Sequence, residues 1–177
     1  MEDLLRIYMN DQLALGVGWR ELARRAAREN RGTQLGAALA DVATQIREDV
    51  ETFEELMRRL GFARDRLKIG AAIATERLGR LKPNGQLRGY SPLSRFVELD
   101  LLVMGIEGKV TLWGNLRDLA GLGERLPDVD FDRLVERARA QRALLEPFHA
   151  TAGHEALGLP ATRSVESGLP RDGRATA

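Results

Sequence analysis

The chain has 177 residues, no cysteine, 44% hydrophobic and 30% charged side chains, and a formal net charge of +1. That length suffices for one domain with a sizeable core, and the composition excludes disulfides, thiolate metal sites and a cysteine nucleophile. The near-neutral balance argues against a nucleic-acid stripe or a polybasic membrane patch, and no stretch is apolar enough to span a bilayer. The opening MEDLLRIYMND carries acids and lacks a long apolar run, so it does not read as a signal peptide, and a cytoplasmic protein is the default expectation.

Taken in order, a first helix, A, is predicted from Glu2 to Asn30, with the stripe Leu4, Tyr8, Asp11, Leu15, Gly18, Leu22 and Ala26. Helix B, Thr33 to Gly61, has the clearest periodicity in the chain. Leu35, Leu39, Val42, Ile46, Phe53, Leu56 and Leu60 recur in steps of three, four and seven, and Asp49 sits where the pattern asks for an apolar residue. Thr33 is the expected N-cap, and Gly61 the left-handed terminator. The short connection between A and B predicts an antiparallel hairpin. A shorter helix is expected over 65–81, then a loop through KPNGQLRGYSP. Ser91-Pro92 opens helix C, Pro92 to Ala120, whose middle is apolar around most of its circumference and should therefore pack on more than one side. Helix D is expected from Phe131 to His154 with the stripe Leu134, Ala138, Gln141, Leu145, Phe148 and Ala152, and Pro147 should kink it or end it early. The expected domain is residues 1–156; the polar 157–177 tail has little to bury and is predicted to be disordered.

Two long hairpins joined by roughly thirty residues read as an all-α bundle in which the connector runs back along the bundle and leaves B and C parallel, with a plain up-and-down bundle of five helices as the runner-up. IYMNDQL in helix A and IREDVETFEELMRRLG in helix B resemble the ferritin-like superfamily, in particular its bacterial stress-related branch of unknown function. The resemblance implies a ferritin-like four-helix bundle with one long crossover containing a short extra helix. In metal-binding members it implies a Glu on helices A and C and a Glu-x-x-His on helices B and D. Helix B here holds no His, and the one Glu-x-x-His, Glu146 to His149, surrounds Pro147.

Asp11 and Asp49 lie about equally far from the A–B loop, roughly 27–30 Å at 1.5 Å rise per residue, and are expected to face each other. Glu107 and Gln141 are similarly matched about the C–D loop, although Asp100, Met104, Glu107, Thr111 and Asn115 share a row that could equally be solvated. Asp11, Asp49, Glu107 and Gln141 are thus the candidate metal ligands, or else a buried polar layer. Two buried acids need a metal, a buried Arg or Lys, a shared proton or water to compensate them. In the polar-layer reading, Asp49→Asn should be tolerated.

The reading leans away from an enzyme, toward a structural or interaction role without a cofactor; an iron or manganese carboxylate oxidase or metal store is the alternative. A homodimer through helix C or the crossover is expected, with an unidentified protein partner as a further option. A scaffold role is favoured if Leu101, Leu112 and Leu116 stand exposed. Gly105-Ile-Glu-Gly-Lys109 is not a phosphate loop, because it lies inside a helix. Trp19 and Trp113 read as core or interface anchors.

Overall fold

The computed structural model describes residues 2–65, 67–70 and 90–158. Helix α1 spans Glu2–Glu29 and α2 Gln34–Arg59. Thr33 caps α2 by accepting from the Gly36 amide at 3.0 Å. Gly36 itself cannot be replaced freely, because a Cβ there would overlap the Asn30 carbonyl. At the other end Phe62 N–H donates to the Met57 carbonyl at 2.9 Å and Gly61 N–H to that of Arg58 at 3.1 Å, with Gly61 at φ +72°. This pair of bonds satisfies the last carbonyls of α2 and needs the left-handed residue that glycine supplies.

Helix α3, Pro92–Asp118, starts as the Ser91-Pro92 signal implies: the Ser91 hydroxyl accepts from Ser94 N–H, and Pro92 needs no partner for a missing N–H. The loop that follows contains a further turn, α4 (Leu122–Arg125), entered through Gly121 at φ +63°. Its Leu122 is fully buried, so the connection is part of the core rather than plain loop. Helix α5, Phe131–Leu157, is capped by Asp130 and continues past Pro147. Of the two expectations for Pro147, a kink or an early end, the early end is thus corrected. The proline lies on the solvent side, where water can satisfy the carbonyl of exposed Ala143 that has lost its N–H donor.

The main contacts pair α1 with α2 and α3 with α5, while α1–α3 and α2–α5 close the square more thinly. Contacts at the two ends set the directions. The Asn30 amide at the end of α1 donates to Tyr90 just before α3, and Arg59 at the end of α2 pairs with Asp128 just before α5. So α2 and α3 point the same way, and the chain between them leaves one end of the bundle and returns at the other. Buried Asn10 holds the departure by donating to the Ala63 carbonyl at 3.1 Å and accepting from Asp65 N–H at 2.6 Å. Residues 67–70 are helical. The remainder of the helix expected over 65–81, most of the loop after it and nearly all of the expected disordered tail lie outside the described residues.

The row that α1 buries is not the expected one. Met9, Leu13 and Val17 enter the core, while Leu4, Asp11 and Leu15 face out. Residues 4–17 carry apolar side chains on two neighbouring rows, and the row with Met9, Leu13 and Val17 meets α2 and α3. In α3, Leu112 and Leu116 are buried and only Leu101 of the three scaffold indicators is exposed, so the condition set for a scaffold surface is not met. The core has two apolar clusters. One is built around Met9, Phe53, Trp113 and Leu134, the other around Leu39, Ile46, Leu102 and Leu145. Along α2 Asp49 and along α3 Lys109 stand between the two clusters, and on α5 Gln141 interrupts the second cluster between Ala138 and Leu145.

Candidate functional site

Asp49, on α2, is 3% exposed and Gln141, on α5, is 1% exposed. Lys109 enters from α3. Its register explains the position: Leu102, Ile106, Lys109, Trp113 and Leu116 follow the steps of four and three that mark one helix face, so the lysine interrupts an apolar row as Asp49 does in α2. The Lys109 ammonium donates to Asp49 Oδ2 and to Gln141 Oε1. Gln141 Nε2 donates to Asp49 Oδ2 at 3.2 Å, and Arg137, one turn earlier on α5, donates to Asp49 Oδ1. Both carboxylate oxygens of Asp49 are therefore taken by cations. Arg137 is less enclosed and also lies 3.7 Å from Glu48 Oε2, which is half exposed.

Burial lowers the pKa of Lys109, since removing an ammonium from water penalises its charge. The Asp49 charge and hydrogen bond oppose the shift, and the neighbouring Arg137 charge adds to it. Among the compensators that a buried Asp49 requires, the fold supplies lysine and arginine.

Two of the four candidate ligands thus meet and two do not. Asp11 is exposed and bonds Lys68 at 2.6 Å. Glu107 is exposed because it lies two residues from Lys109, about 200° around the helix at 3.6 residues per turn. The expectation that Asp11 faces Asp49 is corrected accordingly: it followed from a height match, and height does not set which way a side chain points. Glu146 pairs with Arg142, and His149 bonds Asp100 at 3.0 Å and stacks on Phe96 at 5.3 Å, so each half of the Glu-x-x-His has its own partner. Among the described residues no three His, Cys, Asp or Glu side chains gather as a metal site. The buried donor set, one carboxylate and one amide already bonded by two cations, does not fit iron or manganese.

Lys109 and Asp49 also lie on the wall of a cleft of about 410 Å³ between α1, α2 and α3. Its lining is chiefly apolar, with Phe53, Ile46, Trp19 and Trp113 among the walls, and Leu15 and Met104, 52% and 60% exposed, at its mouth. Trp19 seals part of it by lying on Gly105, where a Cβ would stand 2.7 Å from the indole ring. Gly108, on the same wall, faces open space. Trp113 is 1% exposed, and its indole N–H has no acceptor.

A second buried network closes the end where α3 begins. Asn30 donates to Tyr90 Oη at 3.0 Å, Tyr90 donates to Glu98 Oε2 at 3.0 Å, and Arg25 lies 3.0 Å from Glu98 Oε1. Burial raises the pKa of Glu98 against the opposing Arg25 charge, and burial followed by the Glu98 charge raises that of Tyr90. Sequence reasoning missed Lys109, Arg137, Asn10 and this network. Only Lys109 left a readable signal, its place on the apolar row.

Comparison of the chain with family models, with curated proteins and with solved structures gives no match.

Proposed function

We propose that the protein is a ferritin-like bundle in which an ion-paired layer occupies the level of the usual metal centre, and that it serves a structural or binding role rather than di-iron redox chemistry. The long return between parallel α2 and α3 supports the first part, because this class of bundle is defined by one such crossover. The second part rests on a single observation: both Asp49 oxygens are bonded by Lys109 and Arg137. A cation at the carboxylate repels a metal ion and supplies the compensation that a metal would otherwise provide. A second copy of the chain is the proposed partner. Leu15 on α1 and Leu101 and Met104 on α3 are exposed apolar side chains at and beside the mouth of the cleft that a dimer would cover, enclosing the cleft.

Metal analysis of protein purified without added metal tests this reading. The expected content of iron and manganese is far below one per chain and unchanged in Asp49→Asn. Stoichiometric metal in the wild type that disappears in Asp49→Asn overturns the proposal and restores the carboxylate oxidase or metal store.

A further inference from the structure

We infer that the cleft between α1, α2 and α3 binds a small amphipathic monocarboxylate, an apolar chain or ring with one carboxylate head, with that head on Lys109. Three observations carry the inference. First, the cleft has about 410 Å³ and largely apolar walls, within the range of sites that enclose a small organic ligand. An apolar tail is the chemistry such walls accept.

Second, Lys109 on its wall has a donor to spare. Among the described residues lining the cleft, Lys109 and Asp49 are the only charged ones. An ammonium has three donors, and Lys109 spends two, on Asp49 and Gln141. An acceptor arriving in the cleft takes up that third donor.

Third, the charge balance favours an anion. Asp49 alone faces two cations, Lys109 and Arg137, and Glu48 reaches only the Arg137 side, from a half-exposed position. A carboxylate on Lys109 therefore completes a chain of alternating charge, Arg137, Asp49, Lys109, ligand. A cationic head would meet the ammonium in a site that water screens poorly. The inference rests on the reading that Lys109, not a metal, partners Asp49. The two fail differently: the first through metal in the purified protein, the second through lack of head-group selectivity in metal-free protein.

The test is titration of the full chain with dodecanoate below its micelle-forming concentration, followed by the fluorescence of Trp19 and Trp113, the only two tryptophans. Dodecanol and dodecyltrimethylammonium, which share the tail, are run alongside. Dodecanoate is expected to saturate a single site and to raise the melting temperature. Lys109→Gln should weaken it by about tenfold or more, the loss of one charge-assisted hydrogen bond, while leaving the dodecanol response unchanged. Gly108→Phe adds a ring on the cleft wall where a Cβ meets no other described atom, on a helix that gains propensity, so it should fold as the wild type does and weaken all three ligands; undiminished binding of all three overturns the inference. Dodecanol binding as tightly as dodecanoate, an unchanged Lys109→Gln, or the absence of saturable binding overturns the inference.

Discussion

Asp49→Ala is the most informative perturbation of the ionic layer. In the wild type the carboxylate is 3% exposed and receives Lys109, Arg137 and Gln141. Truncation strands an ammonium in the core, and removing one member of a buried pair typically costs about 3–5 kcal/mol. For a chain of this size that corresponds to a fall in melting temperature of roughly 6–20 °C. Asp49→Asn, which a neutral layer would tolerate, should also destabilise here, because the amide keeps the shape but not the charge that two cations require. Lys109→Met should cost less than Asp49→Ala, since Asp49 then retains Arg137 and Gln141 and loses one charge-assisted bond, about 1.5–3 kcal/mol. In the double variant Asp49→Ala with Lys109→Met, the layer becomes apolar and Arg137 can turn to Glu48 and solvent. Its stability should exceed the sum of the single losses by about 1–3 kcal/mol, the range for residues in one network. Urea denaturation followed by tryptophan fluorescence measures all of these. Asp49→Ala within about 1 kcal/mol of the wild type, or strict additivity in the cycle, would refute the argument, because distant or solvated charges behave that way.

The network at the start of α3 gives a pH prediction. Burial holds the folded-state pKa of Glu98 above its ordinary value of 4.5, so its favourable contribution is complete below that pH and is lost as pH rises through the raised folded value. Relative to Glu98→Gln, which does not titrate, the wild type should lose stability as pH rises above 4.5; parallel stability curves for the two proteins would show that Glu98 is not the source. Gly36→Ala should destabilise by about 1–3 kcal/mol despite the better helix propensity of alanine, because the obstructing atom is the backbone carbonyl of Asn30. An unchanged or raised melting temperature for that variant contradicts the close approach. Light scattering should give the mass of a dimer, and Met104→Glu should shift it toward the monomer; a wild-type monomer at high micromolar concentration refutes the proposed partner.

The helices themselves were readable because their signals are local. Capping by Thr33, Ser91 and Asp130, the left-handed glycine after α2 and the row Leu35 to Leu56 depend on residues within a few positions of one another. Asp49 and Gln141 were readable as buried polar groups for the same reason, since each breaks an apolar row that its own helix defines. The connector between the hairpins has the length that a return along the bundle requires.

Which row faces inward is a different kind of fact where a helix carries two. Residues 4–17 allow either Leu4, Tyr8, Asp11 and Leu15 or Met9, Leu13 and Val17, and only the position of α2 and α3 selects the second. Matched height suggested that Asp11 meets Asp49, yet rotation about the helix axis places Asp11 on Lys68 in solvent. The identity of the Asp49 partners was decided in the same way. Lys109 and Arg137 lie 60 and 88 positions from it along the chain, and no local spacing links them. By itself the sequence determined that a carboxylate must be buried in α2. Tertiary packing decided that cations compensate it, because burial is set by each helix's own periodicity whereas pairing is set by which faces of separate helices are brought together.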